Sequence, residues 1–456
     1  AYYTLNEDNI FSFEAQHLSQ TEDPFYRAVR DIQPFRDIIP LNSSQSKFNI
    51  NQNRMVETDK LEAKLDYYYI LTPKSNLNFT FGITDVKQNF NSNIFQILDN
   101  NSEVSFDDNV LNNNVDFKFS DAYLSFNYRF ITGIFTMEPG FTINSYKTEN
   151  IQLGRTVSNS YSDIRPDMRV FMKFKDSESL RFTYNATNQF TDVNNLAEGY
   201  VFNNYNSFFQ GNPNLEAGKF YNYNLNYQSI NIFNFTNVFA RLSYNKSIDQ
   251  IRNLTTFESV IATSSPFNSS FADETFSASG RYQRSFGKVR TSLSTSYNYS
   301  KFNQFIQSIN NPSLSENFSQ NYKGSIRTLF KTAPNIELGY SYNLSENNIG
   351  DISTKYYTKS PYVNIDALIL KALTFRTNYS QTRFSDQDNL INSYKFWDAS
   401  LSYRKNKDSK WEYEVKATNL LDTKSQSNSS TSNISISATE YFIQPRFITF
   451  RFIYSL

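Results

Sequence analysis

The segment YNYNLNY at residues 221–227 sets Tyr221, Tyr223, Leu225 and Tyr227 in strict alternation with Asn222, Asn224 and Asn226. In a strand these two sets point to opposite faces, one apolar and aromatic, the other polar. The same two-residue period returns in Leu77, Phe79, Phe81 and Ile83 against Asn78, Thr80 and Gly82. It returns again in Ile336, Leu338, Tyr340, Tyr342 and Leu344 against Glu337, Gly339, Ser341 and Asn343. A chain with so many amphipathic strands predicts an all-β fold in which one sheet closes on itself. A soluble sandwich turns its apolar faces inward, whereas a transmembrane barrel turns them outward to lipid and keeps water within.

Composition favours the second arrangement. Hydrophobic residues make up 39% of the chain, Lys plus Arg equals Asp plus Glu at 44 each, and the mean hydropathy is -0.57, values that suit a soluble protein. Yet 43 Phe and 32 Tyr bring the aromatic share to 17%. Most of the remaining mass is Asn, Ser, Thr and charged residues, with too little Leu, Val and Ala to pack so many rings into a dry core. Aromatic girdles at two membrane interfaces explain the excess. The longest apolar runs, such as YYYIL at 67–71, fall far short of the roughly 18 to 20 residues of a spanning helix. There is no cysteine, so no disulfide framework or thiol chemistry is available. The charge balance gives no electrostatic footprint for nucleic acid. The chain opens on Ala1 with neither a start methionine nor the basic and apolar regions of a signal peptide, and reads as a mature protein or a fragment. No linker, Pro-rich stretch or helical heptad interrupts it, so residues 1–456 read as one barrel domain.

Tight turns fall at 72–76, 129–133, 175–179, 229–234, 285–289, 331–335, 369–373 and 405–410, and longer Asn-, Ser- and Gly-rich stretches near 92–113, 149–160, 190–216, 250–270, 304–314, 347–354, 386–391 and 424–438. Short periplasmic turns alternating with long external loops are the asymmetry of an outer-membrane barrel. With a first strand near residues 9–18 and a last near 440–456, the count comes to about eighteen antiparallel strands, both chain ends on the periplasmic side. In the last strand Ile448, Phe450, Phe452, Tyr454 and Leu456 form one row, and Thr449, Arg451, Ile453 and Ser455 the other.

Two stretches carry a resemblance to a family. GNPNL (211–215) precedes a Tyr-rich strand, and ATNLLDTK (417–424) is followed by the aromatic run to the C-terminus. Together they resemble the TonB-dependent receptor superfamily, in the Bacteroidetes type of outer-membrane barrel, over about residues 160–456. Ala217 and Gly218 stand where a Pro-Glu pair often follows the first motif, and Leu421 replaces a common Phe. The resemblance implies a 22-stranded barrel filled by an N-terminal plug, of which about eighteen strands and no plug are visible. It implies active import of a nutrient, driven through the plug by a periplasmic TonB-type coupling protein, with no cofactor and no bond made or broken. It also leaves room for a surface lipoprotein or a larger outer-membrane complex as partner. A structural or assembly barrel, or a plugless passive porin, are the alternatives.

Candidate chemistry is sparse. His17 is the only histidine, so no His-based metal site or catalytic triad can be assembled without it, and a polar residue near the rim of the first strand is the plain reading. Glu412 and Glu414 share a strand face with Lys416, spaced about 7 Å apart with no catalytic partner. Together with Glu337, Arg376 and Arg451 they read as lumen-facing ions, a mutually neutralising ladder or the lining of a solute path. In the external loop, Tyr200, Phe202, Tyr205, Phe208 and Phe209 lie among Asn and Gly, a composition suited to stacking on a ligand or to packing as a cap. Metal ligands and catalytic residues are not expected, and the partners expected are outer-membrane lipid and the coupling protein, not nucleic acid.

Overall fold

Alternation of side chains becomes a single antiparallel wall in the computed structural model, which describes residues 1–455 apart from 37, 107–109, 205, 259–260, 332–333, 371, 388, 407 and 432–435. In chain order the wall strands are β1 (Tyr2–Asn6), β2 (Asn9–Glu22), β3 (Phe48–Thr72), β4 (Ser75–Ile97), β5 (Asn112–Thr132), β6 (Phe135–Gln152), β7 (Arg155–Lys175), β8 (Glu178–Gln189), β9 (Gly218–Asn231) and β10 (Thr236–Ile248). They continue with β11 (Asp273–Phe286), β12 (Val289–Ile306), β13 (Ser313–Thr328), β14 (Asn335–Ile349), β15 (Ile352–Ile369), β16 (Leu373–Ser385), β17 (Leu390–Tyr403), β18 (Trp411–Thr418) and β19 (Phe447–Tyr454). Each pairs with the next, so neighbours in sequence are neighbours in the sheet. The eight turns expected from sequence each join two wall strands. A ninth, at Glu7 and Asp8, was not expected; it adds the short β1 to the eighteen strands β2–β19. Asn6 builds that turn, its Oδ1 accepting from the backbone N–H groups of Asp8 (3.1 Å) and Asn9 (2.9 Å). Ala1 consequently lies beside Phe13, part-way up the wall and away from the turn end.

Two further expectations change. The stretches 149–160 and 347–354 are not loops but the ends of long strands joined by two-residue turns, at Leu153–Gly154 and Gly350–Asp351. Leu153 (φ 51°) and Gly154 (φ 70°) both take positive φ, as a type I′ hairpin requires to match the strand twist. Residues 425–431 and 436–442 form a separate hairpin, so the last wall strand starts at Phe447. The wall is also not closed by pairing: among the described residues no ladder joins β19 to β1 or β2.

The register sorts side chains into two faces. Phe13, Leu65, Phe81, Leu124, Ile143 and Ile164 are successive cross-strand partners from β2 to β7, with Phe81 59% and Ile164 65% exposed. Rows of the same face cover the rest, for example Ile326, Leu338, Val363 and Tyr379. On β14 this face runs from Ile336 to Leu344, about 27 Å along the strand, or about 20 Å high at a barrel tilt, close to the apolar band of outer-membrane barrels. Aromatic ladders bound it. Phe11, Tyr67, Phe79, Phe126 and Phe141 stack at centroid distances of 4.8, 6.2, 5.2 and 5.7 Å toward the tight-turn end. Toward the other end Tyr184, Tyr223 and Tyr244 follow one another at 4.8 and 5.9 Å, with Tyr299 and Phe318 at 4.9 Å further round the wall. No helix among the described residues is long and apolar enough to cross a membrane.

Candidate functional site

The opposite face is polar and charged along the same strands. It carries Glu337, Arg376, Glu412, Glu414, Lys416 and Arg451, each one residue out of phase with the apolar rows. Arg327, which sequence reading passed over, is central to this group. Its guanidinium lies 3.7 Å from Glu337 and 3.0 Å from Asp366, and Asp366 lies 3.8 Å from Arg376. Arg451 pairs with Glu414 at 3.4 Å. Across β2–β7 the same face holds Lys64 between Glu14 (3.0 Å) and Asp66 (3.7 Å), and Asp121 and Arg165 both bonded to the Asn144 amide. The exposed pairs among these, Arg327 with Asp366 and Asp366 with Arg376, contribute little stability each, about 0 to 1 kcal/mol. Their register matters more, because a one-residue slip would move every one of them to the apolar face. His17 sits on the outer face above the apolar rows, 3.0 Å from Asp59 and exposed, so it takes no part in the inner wall.

Near the end opposite the tight turns the inner face becomes apolar, at Val56, Phe90, Val115 and Phe117, and the chain folds back to cover it. Val193, Leu196, Ala197, Val201 and Leu215 from the segment 190–216 close one core against these residues. A second core gathers Phe35, Ile39, Leu41, Phe48, Ile50, Ile94, Phe106, Leu111, Phe202 and Phe208. The loop aromatics are thus brought together, but against the wall. Phe208 is 0% and Phe202 3% exposed, with ring centroids 4.8 Å apart and Phe35 4.2 Å from Phe208. Tyr200 packs on Phe208 at 5.1 Å. Phe202 and Phe208 therefore offer no ring face to a ligand; Phe209 is half-buried, and Tyr205 lies outside the described residues.

Buried amides fasten this cap. Gln52 accepts from the Phe202 N–H (3.0 Å). Asn113 accepts from the Gly199 N–H (2.7 Å) and donates to its carbonyl (3.2 Å), and Gln152 donates to the Leu196 carbonyl (2.8 Å). A buried backbone group left unpaired would be costly, so Asn and Gln at these wall positions select the docked arrangement. Gly211 of GNPNL bonds to the Ala197 carbonyl through its N–H (2.7 Å), and any Cβ there would stand 2.6 Å from the backbone of Ala197 and Asn195. Below the cap a cavity of about 560 Å³ opens on the inner wall, lined among others by Lys60, Gln88, Phe119, Phe190, Asp192 and Gln250. Among the described residues no three His, Cys, Asp or Glu groups are placed to hold a metal ion.

The second motif is a clamp beside the last strand. Buried Asn419 (φ 53°) accepts from the Thr423 N–H (2.9 Å) and donates to the carbonyls of Thr423 (2.9 Å) and Gln444 (3.1 Å). Asp422 accepts from the Arg446 N–H (3.2 Å). The Lys424 ammonium, then the Arg446 N–H, hold the Asp422 carboxyl below the usual carboxylate range. The motif thereby ties the end of β18 to the entry of β19.

A scan of known family models finds no match, and no curated protein sequence matches. Among solved structures, the chain is similar to the ferric citrate transporter FecA in its unliganded form, at 10% identity and a TM-score of 0.45, over 99% of this chain and 60% of that one. It is similar to a double mutant of the Serratia marcescens hemophore receptor HasR in complex with its hemophore HasA and heme, at 10% identity and 0.42, over 91% and 64%. It is similar to the closed form of the ferric-catecholate import receptor Fiu of E. coli K12, at 8% identity and 0.41, over 98% and 78%. The chain spans about three fifths of the length of FecA.

Proposed function

We propose that this chain is the barrel wall of an outer-membrane receptor of the TonB-dependent type, importing a nutrient by active transport. The observation that carries the reading is the continuous exposed apolar face between two aromatic ladders, backed by a charged face on the same strands. In water such a face would be a very large aggregation surface; in a bilayer it is the lipid contact, and the charged face lines an aqueous interior. The cap folded onto the inner wall narrows the external mouth, which suits a receptor better than an open diffusion pore. The GNPNL and NLLD elements have structural tasks here, in cap docking and in clamping the last strand, consistent with the resemblance of the sequence to that family. The two sheet edges, which have no ladder partner among the described residues, fit a wall completed by further strands, as the 22-stranded barrel of the resemblance implies. Its partners are then outer-membrane lipid, a periplasmic coupling protein acting through a plug and, in some settings, a surface lipoprotein; its chemistry is binding and gating.

The test is uptake by cells carrying the intact gene. Growth on the scarce nutrient should need the protein, and a protonophore that collapses the inner-membrane gradient should abolish uptake. Uptake that persists under the protonophore would make the barrel a passive pore, and a deletion strain with unchanged uptake of every nutrient would leave a structural role.

A further inference from the structure

Several cations on the inner wall pair with carboxylates, but one cluster of four does not. Arg181 on β8, Arg241 on β10 and Arg281 on β11 all belong to the inner face near the tight-turn end. The register runs Arg181, Asn226, Arg241, Ser279 in one row and places Arg281 one row further on, next to Ser294 and then Lys323 of β13. Arg181 lies over the Phe171 ring (5.6 Å), Arg241 donates to Asn224 (3.4 Å), Arg281 donates to Gln283 (3.2 Å), and Lys323 lies over the Tyr362 ring (5.3 Å). Among the described residues none of the four has a carboxylate within ion-pair distance. A cavity of about 740 Å³ opens on this stretch of wall, lined by Arg181, Arg241 and Arg281 together with Asn226, Ser279 and Ser296. Hydroxyl and amide groups thus fill the spaces between the guanidiniums. At its rim the cavity is also lined by Lys173, Lys175 and Asp176; the two acids there are each paired with a lysine, Asp176 with Lys173 (2.6 Å) and Glu178 with Lys175 (3.6 Å).

Three guanidiniums in one concavity, with the Lys323 ammonium beside them, are kept together at an electrostatic cost while Arg327, Arg376 and Arg451 a few strands away are matched by carboxylates, an arrangement that a bound anion would offset. Guanidinium groups stay charged at any physiological pH and present forked donors that match carboxylate and phosphate oxygens. Arg181 and Arg241 are two strands apart, about 10 Å at the Cα atoms, and their long side chains can converge on one molecule. We infer that this face is a binding site for a small oligoanionic solute, one bearing two or more carboxylate or phosphate groups, at the inner opening of the barrel. The inference rests on the reading of the polar face as an aqueous wall, and it names the charge class of what passes along it.

The test is binding of inorganic tripolyphosphate to the full chain in neutral detergent, by calorimetry at low and moderate salt, which does not depend on transport or on membrane insertion. Wild type should bind, with affinity falling as salt rises. Arg241→Gln and Arg281→Gln should each weaken binding about tenfold, their Lys counterparts should retain most of it, and Lys118→Gln on the outer face should not change it. Each variant is checked by the heat-dependent gel shift of a folded barrel. No binding by wild type, or equal binding by the Gln variants that fold, would overturn the proposal. Binding of hexaglutamate peptide without binding of tripolyphosphate would also overturn it and assign the patch to a polypeptide. A protein that binds tripolyphosphate but imports nothing would refute the transport reading alone.

Discussion

Phe81→Arg should be among the most damaging single changes to the wall, and Asn78→Arg, three residues away on the same strand, among the mildest. Phe81 is flanked by Leu65 and Leu124 across its two ladders. Along β4 it lies midway between the tight turn before Ser75 and Asp85, the first acid of the outer face, so it sits near the bilayer midplane. Arg at the midplane of a barrel's lipid face costs about 2 to 4 kcal/mol, a factor of about 30 to 700 in the folded population. Asn78 points the other way, into the row holding Asn127, and its side chain accepts a hydrogen bond from Thr80 at 3.1 Å. Replacing it gives up about 1 kcal/mol at most and leaves the new charge in water. Urea unfolding of both variants in lipid vesicles, followed by the heat-dependent gel shift, measures the difference directly. Equal midpoints, or loss of Asn78→Arg alone, would refute the assignment of the faces.

The other consequences are more local. Phe452→Arg should cost less than Phe81→Arg, because Phe452, though 73% exposed, lies only two residues from Tyr454 and its Trp411 partner at the aromatic boundary; Arg451→Ala should leave membrane levels on an immunoblot nearly unchanged. Gly211→Ala should undock the cap without unfolding the wall, seen as protease cleavage within 190–216 on whole cells while the gel shift persists. Asn419→Ala leaves the Thr423 N–H and two carbonyls without their partner and should cost about 1 to 3 kcal/mol, read as a lower urea midpoint. Because the Asp422 carboxyl is held below its ordinary value, the stability it gives this clamp is present above the unfolded value and lost as pH falls through the folded one; faster hydrogen exchange at the Arg446 amide below about pH 4 should report it, and exchange independent of pH-linked opening would argue against it.

The strands and their faces were legible because period-two alternation is a local property, and the tight turns because Gly, Pro, Asn and Lys-Asp runs interrupt it. The β1 hairpin escaped notice since five residues carry too little alternation, although Asn6 before Glu7 and Asp8 is a turn signal. Residues 149–160 were misread because polar strands that extend beyond the lipid have the composition of loops, and Gly154 was the clue. The loop aromatics could not be resolved from sequence at all. Whether Phe202 and Phe208 stack on a ligand or bury depends on Phe35, Ile50 and Ile94, which are distant in the chain and meet them only in the fold. The same holds for Arg181, Arg241 and Arg281, spread over a hundred residues. Following the parity of each strand from its apolar row would have placed them on one face, but only the register makes them neighbours.

Which face of the wall meets lipid can be measured directly. The chain has no cysteine, so single cysteines from Tyr123 to Tyr128 on β5 can each carry a spin label in lipid vesicles, and collision with oxygen, which partitions into lipid, can be compared with collision with a water-soluble nickel complex. Labels at Leu124, Phe126 and Tyr128 should favour oxygen, and those at Tyr123, Ser125 and Asn127 the nickel complex. The reverse phase, or no alternation, would contradict the assignment of the apolar face to lipid.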